Sequence, residues 1–307
     1  MRVAITGGTG FVGRHLAERL DPAETVIVSR RTGIRIDDVD ALAAAFAGCD
    51  VVVHSAGINR EIGAQTFERV HVDGTRAVVE AARRAGVRRI VMVSFLRARP
   101  DCGSAYHETK WSAEELVRGS GIAHTVLKFG MIYGPGDHMI DHVAKAVRTW
   151  PVFGLVGFRE RRVRPVPIED AVEVLQAAIA GRIAEPTVAV MGAEELELGA
   201  AVRRIAVVAG GHPLYLRVPV WFIRALAQVT EWTMVTPLVA KAQAQMLAEG
   251  VTEAAPFAPE LPADLRPARR FDEERIRAAL PEGGFGREDL RITRWRSEHC
   301  RVATPAV

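Results

Sequence analysis

The sequence predicts an α/β fold: a doubly wound parallel sheet with a small, mostly helical lobe toward the C-terminus. Three observations carry this. Strand and helix patterns alternate through the first half of the 307-residue chain, which implies βαβ units. Apolar runs such as Val51-Val52-Val53 suit strands covered on both faces. The chain also opens with a strand, a glycine cluster and an amphipathic helix in immediate succession.

In chain order, Val3 to Ile5 is the first strand and Phe11 to Leu20 the first helix. Thr25 to Ser29 reads as the second strand, rich in β-branched residues, and Ala41 to Ala47 as a short helix. Asp50 to His54 is a buried strand, and Phe67 to Ala85 a long helix stopped by Gly86. Arg89 to Ser94 is a strand, Ser104 to Arg118 a helix with a polar start, and Ala123 to Lys128 a further strand. After residue 133 the pattern loosens at the turn cluster Gly134-Pro135-Gly136-Asp137. Helices are expected from Met139 to Trp150, Glu169 to Ala180, Ala200 to Ala209, Trp221 to Trp232 and Leu238 to Glu249. Short strands are expected at Val163 to Val166 and Thr187 to Met191. The stretch 251–269 is proline-rich and reads as an extended connection before a short charged helix, Phe271 to Leu280. Residues 1–133 with about 162–192 are therefore expected to form a nucleotide-binding domain. About 134–161 with 193–250 would form a substrate lobe, and 251–307 a connection and tail.

Composition narrows the class. Hydrophobic residues make up 49%, enough for a substantial core, and the formal net charge is only +3 with no long basic run. That excludes a nucleic-acid binder as the leading reading. Of the 40 basic residues only Lys110, Lys128, Lys145 and Lys241 are lysines, so each is conspicuous. Cys49, Cys102 and Cys300 are odd in number and far apart, fitting neither a disulfide framework nor a metal knuckle. The first strand does not look like a signal peptide, and no apolar run reaches the roughly eighteen residues of a membrane span. The expectation is a soluble cytoplasmic protein of unassigned oligomeric state.

The chemistry converges on the carboxyl ends of the strands, where a parallel sheet places its ligand crevice. Gly7 and Gly10 allow a sharp turn and a close approach by a ligand, and Gly13 allows tight helix–strand packing. The following helix offers free N–H groups to a pyrophosphate. The turn Ser29-Arg30-Arg31 lacks the acid that usually bonds a ribose 2′-hydroxyl and carries two guanidiniums suited to a 2′-phosphate. NADP(H) is thus expected over NAD. Asp37 or Asp38 could meet the adenine amino group. His54-Ser55-Ala56-Gly57 forms a second turn, and Ser94 ends a further strand.

Tyr106 and Lys110 stand four apart on one helical face, a rise of about 6 Å. A nearby ammonium favours the phenolate and so suits the tyrosine to acid–base exchange with a carbonyl or alcohol. Ser94 can offer a hydroxyl to the same oxygen; Ser104 is the alternative. His138 and His142 lie one turn apart beside Asp137 and Asp141, but this reads as a polar helix face and no metal is expected. The segment from Val220 to Trp232 is apolar and tryptophan-bearing. It reads as a packed face, a lipophilic pocket wall or a membrane-surface contact; with Arg224 as the one cation of its polar face, binding to an anionic lipid surface is not expected.

These residues resemble the short-chain dehydrogenase/reductase superfamily, in its extended and atypical branch of NAD-dependent epimerase/dehydratase-like proteins. The closest flavour is the group related to the dehydrogenase-like accessory subunit of respiratory complex I. The resemblance covers roughly residues 1–250. It rests on Thr6-Gly-Gly-Thr-Gly-Phe-Val-Gly13, His54-Ser-Ala-Gly57, Gly74-Thr75, Tyr106-His-Glu-Thr-Lys110, Gly130-Met-Ile-Tyr-Gly-Pro-Gly-Asp137 and Arg164-Pro-Val-Pro-Ile-Glu-Asp170. It implies a Rossmann domain with a C-terminal substrate lobe. Gly7, Thr9, Gly10, Phe11, Val12, Gly13, Arg30, Arg31, Asp37, Ala56, Gly57, Lys110 and Phe129 are then the expected cofactor-binding positions. It further implies Tyr106 as acid/base, Lys110 on the nicotinamide ribose and Ser94 orienting the carbonyl. His71 stands where the family often has an asparagine that holds a proton-relay water. His71 is expected to be structural or to replace that relay, facing the site interior. The implied activity is NAD(P)-dependent oxidoreduction of a carbonyl/alcohol pair on a small-molecule substrate. A nucleotide-holding sensor or assembly factor and a sugar-nucleotide epimerase or dehydratase are the alternatives. For the last, Arg159, Arg161, Arg162 and Arg164 are the basic residues at hand.

Overall fold

The computed structural model describes residues 1–223, 225–226 and 252–286. Its centre is a six-stranded sheet. The strands are β1 (Val3–Thr6), β2 (Thr25–Val28), β3 (Val51–His54), β4 (Arg89–Phe95), β5 (Ala123–Phe129) and, later in the chain, β10 (Thr187–Val190). Their order is β10-β5-β4-β3-β1-β2 and every pairing is parallel. The order reverses between β1 and β3, so the ligand crevice of a doubly wound sheet opens beside those two strand ends.

Side-chain alternation builds two layers. Val3 and Ile5, Val51 and Val53, Val91, Leu127 and Phe129 face one core. Helices α1 (Phe11–Ala17) and α6 (Ile168–Ile179) pack there, through Leu16 and residues such as Leu175. Ala4, Val52, Ile90, Met92 and Val126 face the other core, under α2 (Val39–Phe46), α3 (Gly74–Arg84) and α4 (Ala105–Arg118). Each of the larger aliphatic side chains contributes about 1.5–3 kcal/mol when fully buried. A one-residue slip of any strand would exchange its two faces.

The expected long helix from Phe67 forms with a difference. Glu68–Asp73 is a π-helical turn that runs directly into α3. The expected strand Val163 to Val166 is two short pieces, β8 (Arg162–Val163) and β9 (Val166–Pro167). Pro165, which has no N–H to give a ladder, falls between them. β9 pairs with β6 (Ile132–Tyr133) and leads into α6.

A second core joins α5 (His138–Thr149), α7 (Leu198–Ala209) and the helix Glu273–Ala279 through Tyr133, Ile140, Val147, Ile205, Phe271 and Ile276. β11 (Leu196–Glu197) pairs antiparallel with β8. A parallel pair, β7 (Val152–Val156) with β12 (Leu214–Val218), was not expected from the sequence. Of the two expected helices between 221 and 249, only residues 221–223, 225 and 226 are described, and they are helical; the rest lies outside the described residues.

The proline-rich connection has a definite place. Ala189 N–H donates to Pro259 O at 2.7 Å, and Glu260 bridges Ala189 on the outer edge of β10. Ala255 N–H donates to Leu96 O. The segment thereby covers a sheet edge that would otherwise present unpaired backbone groups.

Candidate active site

The two glycine turns meet at the switch point. Gly7 has φ +69°, and a Cβ there would stand 2.7 Å from Ala56 Cα. A Cβ on Gly13 would stand 2.5 Å from Gly7 O. Only glycine fits either place, so the first turn, the second turn and α1 pack backbone to backbone. No side chain caps the first turn of α1 and no acid sits in it. Its N–H groups are open to an anion. Thr9 and Val12 are half-buried in this turn, Gly10 is exposed, and Phe11 packs against the core with its ring on His15. The residues fit a dinucleotide: side chains are absent where a pyrophosphate must approach. Phe129 reaches the same sheet end, but its ring is buried in the core.

At the end of β2, Arg30 and Arg31 lie in a single helical turn held by reciprocal bonds between Ser29 and Thr32. Both arginines are exposed, and neither guanidinium has an ion pair or hydrogen bond among the described residues. Asp37 accepts from Arg35 at 2.9 Å and from Arg69 at 2.7 Å. These hydrogen bonds, Arg35 first, hold its carboxyl well below the usual carboxylate range. Both oxygens are thus occupied by guanidiniums, and its charge is matched. Asp38 caps α2 instead.

A buried polar chain links the strand ends. His54 Nδ1 lies 2.7 Å from Thr6 Oγ1, and His54 Nε2 lies 2.8 Å from Thr75 Oγ1. Thr75 gives its own proton to His71 O, so Nε2 of His54 is the donor and Nδ1 the acceptor. Burial lowers the His54 pKa to about 3, which keeps the ring neutral. Sequence reasoning quoted Thr6, His54 and Thr75 within its motifs but gave their side chains no role. Their signal was two polar residues ending otherwise apolar strands.

Tyr106 and Lys110 occupy the first turns of α4, both buried. The tyrosine ring is boxed edge-on by Phe67, His71 and Phe95 at 5.6–5.7 Å. Its phenol oxygen has no protein hydrogen bond among the described residues. Lys110 Nζ contacts Val93 O at 3.4 Å, and a Cβ on Gly57 would lie 3.1 Å from it. Burial pushes the phenol pKa up and the ammonium pKa down to about 8. The sequence expectation of a lowered phenol pKa thus gives way to desolvation, because the ammonium is turned toward Gly57 and Val93.

His71 is buried and faces this interior. Its Nδ1 is 3.0 Å from Thr109 Oγ1, which gives its own proton to Ala105 O. Nε2 lies 3.2 Å from Ile58 N and 3.1 Å from Ile58 O. Burial, then the Lys110 charge, hold the ring well below its ordinary pKa.

Ser94 is placed differently from the expectation. It shares the sheet face of Ile90 and Met92, toward α4, and its hydroxyl donates to Glu114 at 2.5 Å. Glu114 also accepts from Lys128 at 3.1 Å and from Arg118 at 2.6 Å. Ser94 thus belongs to a buried ionic cluster that ties α4 to β4 and β5, and its proton is committed there. Ser104 sits at the N-cap of α4, buried, with its side chain capping nothing. Asp137 caps α5 by accepting from Met139 and Ile140 N–H, and the His142 ring rests on Phe285. Of the four arginines near 160, Arg162 pairs with Glu195 and Arg164 with Glu260.

Comparison with known proteins agrees with this geometry. Residues 7–147 match a family model described as NAD(P)H-binding. A ceramide reductase of Caulobacter vibrioides is 31% identical over 255 residues, 76% of this chain and 79% of that protein. A 4-hydroxy-2-methyl-3-oxo-4-farnesyl-3,4-dihydroquinoline-1-oxide ketoreductase of Stigmatella aurantiaca is 31% identical over 192 residues, 48% of this chain and 56% of its own length. Among solved structures, a UDP-glucuronic acid 4-epimerase of Bacillus cereus, in complex with NAD and UDP-4-deoxy-4-fluoro-glucuronic acid, superposes with a TM-score of 0.64. That match is 15% identical and covers 91% of this chain and 97% of that one, a likeness of fold. No helix among the described residues is long and apolar enough to cross a membrane. On its glycine turns, its sheet order and its match to a relative over most of both chains, the protein belongs to the NAD(P)H-binding Rossmann family, and it shares its fold with NAD-bound epimerases and dehydratases.

Proposed function

We propose that this protein is an NADP(H)-dependent ketoreductase that converts a lipophilic ketone to its alcohol. The observation that carries the reading is the Tyr106 hydroxyl: it has no hydrogen-bond partner among the described residues, its ring is boxed by Phe67, His71 and Phe95, and it stands one turn from Lys110 beside the dinucleotide crevice. Bound NADPH supplies the hydride to the carbonyl carbon. Tyr106 gives its proton to the carbonyl oxygen. Lys110, held against Gly57, is the cation for the nicotinamide ribose, and solvent returns the proton to the phenolate. Ser104, whose side chain is uncommitted, is the hydroxyl that orients the carbonyl, in place of Ser94. Arg30 and Arg31 hold the 2′-phosphate, and neutralised Asp37 does not repel it.

A lipid ketone is supported by the aromatic and aliphatic surroundings of Tyr106, which include Phe95, Leu96, Ala189, Met191 and Ala258. The names of two relatives, a ceramide reductase and a ketoreductase of a farnesylated quinoline oxide, point the same way. The test follows NADPH oxidation with long-chain keto lipids in mixed micelles, short ketones and UDP-sugars. The reading expects kcat/KM to be at least about tenfold higher for the long-chain ketones, the factor of a few buried methylenes. A second reading, a nucleotide-holding protein without turnover, draws on the committed Ser94 hydroxyl. Tight NADPH binding with no oxidation by any compound in the panel would favour it.

A further inference from the structure

The small lobe carries an apolar face that the dinucleotide site does not use. Val152 pairs with Leu214 and Gly154 with Leu216 across the β7–β12 ribbon. Alternation turns Phe153 and Tyr215 inward, where their rings meet at 6.4 Å on the second core. Val152, Leu214 and Leu216 therefore point outward and are exposed. Phe158 follows β7, and Trp221 and Phe222 follow β12; Phe158 and Trp221 are each 69% exposed. Of the ten exposed large apolar side chains among the described residues, six lie in this ribbon or within a few residues of its strand ends. Scattered apolar residues need no explanation, but a cluster of this kind marks an interaction surface.

The charge beside it is one-sided. A cavity of about 240 Å³ is lined by Val156, Gly157, Phe158, Val220 and two arginines, Arg159 and Arg161. Both are exposed, and neither has an ion pair or hydrogen bond among the described residues. The neighbouring cations are already matched, Arg162 by Glu195 and Arg217 by Glu160. A second copy of the chain is a poor occupant: a two-fold contact would bring the same unpaired arginines together from both sides. An anionic lipid surface answers both features, with phosphates for the guanidiniums and an acyl boundary for the tryptophan and phenylalanines. The sequence expectation against an anionic surface counted Arg224 alone and left out Arg159 and Arg161, which line this cavity with Val220.

We propose that the face formed by Val152, Phe158, Leu214, Leu216, Trp221 and Phe222 rests on an anionic phospholipid bilayer, with Arg159 and Arg161 on headgroup phosphates. The proposal goes beyond the redox reading and is measured without cofactor or turnover, so either can fail alone. The full chain is sedimented with vesicles of phosphatidylcholine, alone or mixed with phosphatidylglycerol. It should pellet with the mixed vesicles, less as salt rises, and not with phosphatidylcholine alone. Arg159→Gln with Arg161→Gln, and separately Phe158→Ser with Trp221→Ser, should each lower the bound fraction by about tenfold. NADPH affinity, held by the sheet end, should be unchanged in both. A parent that stays in the supernatant, salt-independent binding, or variants that pellet like the parent would overturn the proposal. So would a concentration-dependent dimer of the parent that the Phe158/Trp221 variant dissociates, since a second copy then covers the face.

Discussion

Gly57 and Lys110 are in contact across the crevice: a Cβ on Gly57 would lie 3.1 Å from the Lys110 ammonium and 3.6 Å from His71 Nε2. Backbone, cation and imidazole meet at one point, directly beyond the strand that ends at His54. Gly57→Ala must push the ammonium aside by a few tenths of an ångström, and Gly57→Val by more. Overpacking of this kind costs about 1–3 kcal/mol. NADPH titration should show weaker binding in the order Gly, Ala, Val, with thermal stability falling less. Unchanged affinity in the valine variant would mean that Lys110 is not held against this turn.

Burial gives Lys110 a pH signature. Its pKa is lowered from 10.5 to about 8. The folded value lies below the unfolded one, so between these two pH values the unfolded chain binds more protons and stability rises with pH. Below pH 8 both states are charged and the folded protein bears the full cost of the buried ammonium. Chemical denaturation of the parent and of Lys110→Met should therefore converge or cross as pH rises from 8 to 10.5. The parent should gain up to about 1.4 kcal/mol per pH unit relative to the variant. A difference that stays flat across the window would contradict a buried, charged lysine.

The sheet and its glycine turns were legible because each rests on local chemistry: apolar strands, and backbone positions that only glycine can fill. The Tyr106–Lys110 face followed from helical spacing alone. Other parts of the site depend on pairings that no single segment announces. Thr6 stands opposite His54 only because β1 and β3 pair in that register. Ser94 was placed at the right strand end, but its partner was hidden: the hydroxyl goes to Glu114, two turns beyond Tyr106 on α4. The π-turn at Glu68–Asp73 reads in sequence as ordinary helix, although it carries Arg69 to Asp37 and His71 to the interior. β7 and β12 were missed because each follows a proline, Pro151 or Pro213, in a stretch that resembles a connection.

The side chains of Arg30 and Arg31 are exposed and make no bond that shapes their turn among the described residues, where Ser29 and Thr32 bond each other. Changing both to alanine should leave thermal stability within about 0.5 kcal/mol, as for ordinary surface sites. The same change should weaken NADPH binding by about one to two powers of ten, the worth of charge-assisted hydrogen bonds to a phosphate. NADH affinity should barely move. Equal affinities for NADPH and NADH in the parent would contradict the cofactor assignment.

The account stands or falls on Tyr106. Tyr106→Phe removes one oxygen that no group among the described residues bonds and keeps the ring against Phe67, His71 and Phe95. The decisive measurement is the single-turnover rate of NADPH oxidation by a ketone that the parent reduces, with NADPH affinity determined on the same samples. The account predicts a loss of about two to four powers of ten in rate, the usual size of acid–base assistance, with affinity unchanged. A phenylalanine variant that turns over as fast as the parent would contradict it.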